Sequence, residues 1–401
     1  MVDKQQRSRK NLIYTIMEVL YAPHKAFKEI VQEPKYIGLI LILVLFIATS
    51  TMYGYTILSK SYVEKILPNV DPSIGQFDTW TENSTMWSSP QRAEITEDFN
   101  DFINGSYYGN RSIVFSVPKS SKISMTLMEI GPVNCSGPEG YKNLSLRIKI
   151  VDPKIVPSTA SIYLFSGKGS NYFYYNLTDS LSRSTAGAWI NLTIPLATEN
   201  WVKSNGDWSN ITGVGLAFDW PKDYNISVLV DGLYFRGIFK TPIEIDATGY
   251  LLSYSVSSLL QFTILWFSIS GIIFIVLRIF RVATVWKPIL VSVGSALIIL
   301  SVQALVNMVA VLLTLANIYY PLEYFGGTMT EMIAVATKMS EQASLFLTVR
   351  SYIEIAIYTW ITLLCTIANR LLTQLSWTKS FLASAVALFF AHIINTLFVL
   401  L

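Results

Sequence analysis

The sequence predicts a multi-domain membrane protein: a five-helix α transmembrane bundle plus one inserted all-β sandwich domain. Three observations carry that expectation. Four uncharged apolar runs of spanning length, and a fifth shorter one, flank a polar middle; basic residues recur in every second connection; and every Asn-X-Ser/Thr sequon falls in the middle segment. Of 401 residues 52% are hydrophobic and 14% charged, against about a quarter charged in a typical soluble domain. The net charge of +3 gives no reason to expect a nucleic-acid partner. The two cysteines, Cys135 and Cys365, lie in a polar and an apolar segment, so no disulfide framework is expected. Two histidines, His24 and His392, are too few and too far apart for a His-based zinc site or a Ser-His-acid triad.

Residues 1–35 form a cytoplasmic amphipathic segment. Leu12, Ile13, Ile16, Leu20, Phe27, Ile30 and Val31 recur at helical spacing among Lys and Glu, which fits a helix lying in the interface or one packed under the bundle. A span needs about 20 mostly apolar residues, and spans are expected at 36–59, 247–277, 288–316, 347–369 and 380–401. The first reads as a signal anchor, because a long polar segment precedes it in place of a short basic n-region. In the fourth, Arg350 and Glu354 are spaced i,i+4 and are expected to pair near an interface.

Orientation follows from Lys and Arg. Lys4, Arg7, Arg9, Lys10, Lys25, Lys28 and Lys35, then Arg278, Arg281 and Lys287, then Arg370 and Lys379 all fall on one side if there are five spans. The N-terminus is then cytoplasmic, and the C-terminus and residues 60–246 extracytoplasmic. Nine sequons, at Asn83, Asn104, Asn110, Asn134, Asn143, Asn176, Asn191, Asn210 and Asn225, lie on that outer side and predict a glycosylated domain.

Within the insert, short runs rich in Val, Ile, Tyr and Phe alternate with Gly, Pro, Asn and Ser, the pattern of a sandwich. Strands are expected at 112–117, 122–130, 144–151, 161–166, 172–177, 188–194, 214–218 and 227–235. Eight strands suit a jelly-roll-like arrangement. The apolar phase Leu144, Leu146, Ile148, Ile150 leaves Asn143 outside, as Ile190, Leu192, Ile194 leaves Asn191. Tyr62 to Asp101 has no clean period and reads as a stalk or wrapping loop.

Candidate binding residues in the insert are aromatic and acidic. Trp189, Trp201, Trp208 and Trp220 would form a sugar-stacking platform if exposed, and fill the core or its rims otherwise. Asp207, Asp219 and Asp231, evenly spaced, would hold a structural calcium if gathered at one end, and are otherwise turn residues. Glu94, Glu97, Asp98 and Asp101 would serve a glycosidase only as a pair across a cleft. In the bundle, Gln303, Asn307, His392 and Asn395 are expected to make interhelical hydrogen bonds or line a polar path. Ala383, Ala387 and Ala391 form a small-residue stripe, for packing against a neighbouring helix or a second copy of the chain.

Two resemblances emerge from these residues. The segment from Trp189 through Trp208-Ser209-Asn210-Ile211-Thr212-Gly213 to Val230-Asp231-Gly232-Leu233-Tyr234-Phe235 resembles the C-terminal half of galactose-binding-like jelly rolls, a group that includes carbohydrate-binding modules. The stretch Leu20-Tyr21-Ala22-Pro23-His24-Lys25-Ala26-Phe27-Lys28-Glu29-Ile30, followed by Glu33-Pro34 and the first span, is similar to the Yip family of five-span proteins with cytoplasmic N-termini. Lys287-Pro288 and Lys379-Ser380-Phe381 at the starts of spans three and five look alike too. The insert interrupts what is usually a short outer loop, so this resemblance implies a bundle type.

The function expected is non-enzymatic: a membrane protein displaying a glycosylated β-sandwich that binds glycan, envelope polymer or partner proteins, in an archaeal-type plasma membrane. A transporter component is the rival class, requiring a polar cavity lined by Gln303, Asn307, Glu354 and His392. An envelope glycosidase comes third. No phosphate-binding Gly-x-x-x-x-Gly-Lys-Ser/Thr loop occurs in the sequence.

Overall fold

The computed structural model describes residues 12–167, 171–183, 185 and 187–400, so Lys4, Arg7, Arg9 and Lys10 lie outside the described residues. In chain order the elements are α1 (Leu12–Tyr21), α2 (Pro23–Gln32), α3 (Tyr36–Leu58), β1 (Ser61–Leu67), β2 (Trp87–Ser88), β3 (Glu94–Asp98), β4 (Ser112–Val133), β5 (Asn143–Asp152) and β6 (Thr159–Ser166). Then come β7 (Asn171–Asn176), α4 (Thr178–Ser182), β8 (Ile190–Pro195), β9 (Val202–Ser204), β10 (Ile211–Lys240) and α5 (Pro242–Ile279). The chain closes with α6 (Trp286–Ala296), α7 (Ile298–Thr314), β11 (Ile318–Tyr320), α8 (Leu322–Gly326), α9 (Met329–Thr373) and α10 (Trp377–Leu400). Two compact units result: a helical one of the chain up to Ser61 with Thr241–Ile318 and Ser340–Leu401, and a β one of Tyr62–Lys240 with Tyr319–Met339.

Among the described residues of the chain, five helical stretches are long and apolar enough to cross a membrane: Tyr36–Leu58, Pro242–Ile279, Trp286–Thr314, Met329–Thr373 and Trp377–Leu397. Their bounds differ from the sequence expectation for local reasons. Thr241 caps α5 in a reciprocal box with Glu244, so the helix starts ahead of 247 and crosses a non-helical residue at Asp246. The third stretch is two helices meeting at Leu297, and α9 begins at Met329 where Thr328 and Glu331 form a second reciprocal cap.

In the helical unit the N-terminal segment packs inward. Pro23 opens α2, where its missing N–H costs nothing, and the chain leaves the helix just before Pro34. Val19, Ala26 and Phe27 are fully buried in the helical core, and buried Glu18 pairs with Lys25 at 2.9 Å. Lys60 caps the far end of α7, its Nζ donating to Val311 O at 3.0 Å and Leu315 O at 2.6 Å. A polar seam joins α3 to α5: Ser258 Oγ donates to Ser50 Oγ at 2.8 Å, and Thr51 and Ser255 hydroxyls meet at 3.0 Å. Between them Gly54 lies under the Tyr254 ring, where an added Cβ would stand 2.5 Å from Cδ1. Gly54→Leu is therefore expected to weaken the helical unit by about 1–3 kcal/mol, read as a lower temperature for loss of the monodisperse peak in detergent. An unchanged profile would mean that α3 and α5 separate without penalty.

The stripe Ala383, Ala387 and Ala391 is fully buried, with α10 packed on α5. The expected face for a second copy is thus occupied within the chain, since small residues let the two backbones approach.

The β unit is one hydrogen-bonded sheet of 11 strands that folds over on itself. The long strands β4 and β10 run antiparallel to each other through both layers, with irregular register between Asp219 and Tyr224 where they bend. β10 then pairs with β6 in one layer and β5 in the other, and β7 and β8 extend these. Inner-phase residues of both layers, including Phe115, Met125, Ile148, Leu164, Phe173, Leu216 and Val228, share one core.

The stretch 62–101 is neither stalk nor wrapping loop, a correction to the sequence reading. It contributes β1, paired with β10, and β2 and β3, both paired with β4. Its aperiodicity comes from short strands interrupted by turns pinned to buried acids. Asp78 Oδ2 accepts from Thr81 Oγ1 at 2.6 Å and Leu233 N at 2.9 Å. Asp231 accepts from Ile103 N at 2.7 Å and Gly232 N at 2.7 Å.

The segment following α7 belongs to this unit too. Arg236 makes two-pronged ion pairs with Glu64, at 2.9 and 2.7 Å, and with Glu323, at 2.5 and 2.8 Å. Arg147 reaches Glu331 at 2.7 Å and the Tyr108 hydroxyl at 2.9 Å.

Candidate functional site

The outer phase of one β layer gathers aromatic rings. In β6, Ala160, Ile162 and Leu164 point into the core, which turns Ser161, Tyr163 and Phe165 the other way. In β7, Phe173 is buried, and Tyr172 and Tyr174 share the outer face. Antiparallel register then sets Tyr163 opposite Tyr174 and Phe165 opposite Tyr172. The rings touch: Tyr163 lies 5.3 Å from Tyr174, 5.7 Å from Tyr172 and, near-parallel, 6.5 Å from Phe165 between centroids. All four are half-buried, so each keeps an accessible face.

The neighbouring strand makes room for them. Gly213 and Gly215 of β10 lie opposite Phe165 and Tyr163. A Cβ at Gly215 would stand 3.0 Å from the Phe165 ring, a tight approach that glycine avoids, so the ring comes close to the strand backbone. Beyond the glycines β4 supplies polar groups on the same face, with Thr126 opposite Gly215, Ser124 opposite Ala217 and Lys122 opposite Asp219. Gln91 Oε1 accepts from Ser124 N at 2.9 Å, and Asp219 accepts from Thr159 Oγ1 at 2.9 Å. Burial and its tyrosine neighbours raise the Tyr163 phenol further above its ordinary value, so it stays a hydrogen-bond donor at neutral pH. The result is a stacking surface edged by hydroxyl, amide and charged groups.

The tryptophans do not form that surface. Trp201 and Trp220 are buried at 6% and 3% exposure, with indole N–H groups donated to Pro195 O at 2.8 Å and Ile155 O at 3.2 Å. Trp208 stacks on buried Phe173 at 3.8 Å, and Trp189 donates to Asp101 at 2.9 Å. Their large apolar area is used on the core and its rim, the second of the two alternatives that the sequence left for them, and not on a sugar-stacking platform. The evenly spaced aspartates are likewise not gathered. Asp207 is exposed in a turn with Ser209, Asp219 lies at the edge of the outer face, and Asp231 is fully buried. Among the described residues no group of three His, Cys, Asp or Glu side chains is placed to hold a metal ion. Glu97 is taken by Arg111 at 2.9 Å and Ser84 at 3.1 Å, and Asp101 by Lys149 at 2.5 Å.

All nine sequon asparagines lie at the surface of the β unit: Asn143 and Asn210 are half-buried and the others exposed. Asn176 shares the outer face of β7 with Tyr174, opposite Ser161.

In the helical unit Arg350 and Glu354 pair at 2.9 Å on an exposed face, and His392 Nδ1 stands 3.3 Å from the Tyr358 hydroxyl. Asn307 and Asn395 are buried with Oδ1 atoms that lack a partner, and Gln303 is half-buried on α7. Asn369, passed over in the sequence, makes the buried interhelical bond to Ser384 at 2.9 Å.

No family model matches the chain, and no curated protein does. Among solved structures the chain is similar to the family 11 carbohydrate-binding module of Clostridium thermocellum bound to a β-1,3-1,4-mixed-linked tetrasaccharide, at 15% identity over 43% of this chain and 94% of that one, with a TM-score of 0.27. It is similar to the family 30 carbohydrate-binding module of the same organism, at 13% identity over 39% and 92%, TM-score 0.29. A β-1,2-glucanase from Parabacteroides distasonis matches over 39% of this chain and only 25% of its own, at 16% identity and TM-score 0.28.

Proposed function

We propose that the chain is a non-enzymatic membrane protein whose β unit binds a glycan on the outer face of β6 and β7. The observation that carries this is the ring cluster Tyr163, Phe165, Tyr172 and Tyr174 beside Gly213 and Gly215. A sugar has an apolar C–H face that stacks on such rings and hydroxyl edges that hydrogen-bond to groups like Thr126, Ser124 and Lys122. The five long apolar helices support a membrane anchor of Yip-like type, and the one-sided Lys and Arg pattern supports a cytoplasmic N-terminus. The surface sequons support glycosylation of an extracytoplasmic β unit. A glycosidase would need two facing carboxylates, and Glu97 and Asp101 are engaged with Arg111 and Lys149.

The test is affinity electrophoresis of the detergent-solubilised full chain through gels carrying soluble β-glucans, xylan, mannan or host envelope polysaccharide. At least one polymer is expected to retard the chain. Tyr163→Ala with Tyr174→Ala is expected to lower that affinity about 30-fold, as loss of a stacking hot spot does. A panel that retards nothing, or retardation indifferent to those two substitutions, would remove the reading.

A further inference from the structure

The part of α9 in the helical unit meets α10 through side chains, Asn369 with Ser384 and Tyr358 with His392, while the two backbones stay apart. Two adjoining grooves open between them and share Phe381. One, of about 540 Å³, is walled by Leu363, Ile367, Trp377 and Phe381; the other, of about 350 Å³, by Thr362, Ala385, Leu388 and His392. Both volumes fall in the roughly 300–1,000 Å³ range of small-molecule sites. Their walls are mostly apolar and open outward, with Leu363, Trp377, Phe381 and Phe389 about half exposed or more.

Three features point to one occupant. Both helices are long and apolar enough to cross a membrane, so grooves that run from their connecting turn inward between them open toward hydrocarbon and not water. The larger groove ends at the α9–α10 turn on Trp377 and Thr378; Arg370 lies against that Trp377, Lys379 follows Thr378 in the chain, and no acidic residue follows Glu354 in the sequence. Arg370 lies over the Trp377 ring at 4.4 Å and donates to Leu375 O at 3.3 Å, so its charge is left for an external anion. Trp377 walls that charged end, an amphipathic ring of the kind favoured where hydrocarbon meets headgroups.

We propose that this seam binds one anionic phospholipid from the leaflet at the α9–α10 turn, with its phosphate against Arg370 and Lys379. One acyl chain lies in the larger groove and passes Phe381 into the second, toward Thr362 and Ala385. The proposal rests on the membrane reading above. Its chemistry is that of a headgroup selected by charge and a tail selected by shape.

Native mass spectrometry of the full chain, released from detergent after titration with phosphatidylglycerol or phosphatidylcholine, tests it. Phosphatidylglycerol is expected to be retained in preference. Arg370→Gln with Lys379→Gln lowers its occupancy about tenfold or more, and Ala385→Trp, which fills the second groove and leaves both charges, lowers it as well. Unchanged elution of each variant on size exclusion shows that the fold is intact. Equal retention of the two lipids, or a preference that neither variant alters, would overturn the site. Carbonate extraction separates the two readings: a chain released from membranes loses the anchor and this site together, whereas a chain that stays while its lipid retention ignores the variants loses only the site.

Discussion

Replacing Arg236 with methionine is expected to destabilise the β unit by about 3–5 kcal/mol, the cost of leaving a buried ion cluster without its cation. Glu64 is 3% and Glu323 19% exposed, and both direct their carboxylates at one guanidinium. Burial by itself would lower the arginine pKa, and the two carboxylates more than offset it, so the cation is held firmly. The damage spreads through the backbone, because Glu64 also accepts from Gly237 N and Leu322 N at 2.9 and 2.8 Å. Denaturant unfolding of the full chain in detergent would register the loss. Hydrogen exchange would locate it at Leu322 and Gly237. Adding Glu323→Gln to Arg236→Met should restore part of the stability by removing one stranded charge. A loss below about 1 kcal/mol would instead mark the cluster as solvent-screened.

The second large effect is a fall in β-unit stability as pH rises from about 4 to about 7. Asp78 and Asp231 are both fully buried and share Thr81, whose hydroxyl lies 2.6 Å from Asp78 Oδ2 and 3.3 Å from Asp231 Oδ1. Burial pushes Asp78 up to about 7 and Asp231 well above the usual carboxylate range, the second also through the nearby charge of Asp78. Backbone N–H groups donate to both oxygens of each carboxylate, Trp80 and Leu233 to Asp78 and Ile103 and Gly232 to Asp231, and the Thr81 hydroxyl lies between the two, so the pair is held together by a proton that it shares. The folded state therefore binds more protons than the unfolded chain between about pH 4 and 7, and the stability this proton confers is complete below that window and lost across it. The amount is roughly 3 kcal/mol. Glu97 and Glu323, whose hydrogen-bond donors hold them below the ordinary value of 4.5, act in the opposite sense only in more acid solution. Unfolding midpoints measured from pH 4 to 8 check the trend, and Asp231→Asn should flatten it. A midpoint that climbs over this interval would refute the shared proton.

Apolar length is a one-dimensional property, so the five apolar helices were legible without coordinates, four from charge-free runs and the one with Arg350 and Glu354 from a shorter run extended, and period-two alternation was equally plain in stretches such as Leu144–Val151. The aromatic face left a readable trace as well. Tyr163 and Phe165, and Tyr172 and Tyr174, carry aromatic side chains in the outward phase of two successive strands, a position polar residues usually take. Composition drew attention to tryptophan instead, and Trp201 and Trp220 went to the core because a large apolar surface is buried wherever an inner position accepts it.

The sequence by itself thus determined which segments are helical and apolar and, for the longer strands with a clean alternation, which face points inward, because each rests on a local repeat; the short strands β1, β2, β3, β9 and β11 carry no such repeat. Tertiary structure alone decided what meets across strands and helices: Gly215 beneath Phe165, Asp78 beside Asp231, Arg236 between Glu64 and Glu323, and the alanine stripe against α5. Each of these joins residues far apart in the chain, and their register is set by the packing of the whole core and not by any local pattern.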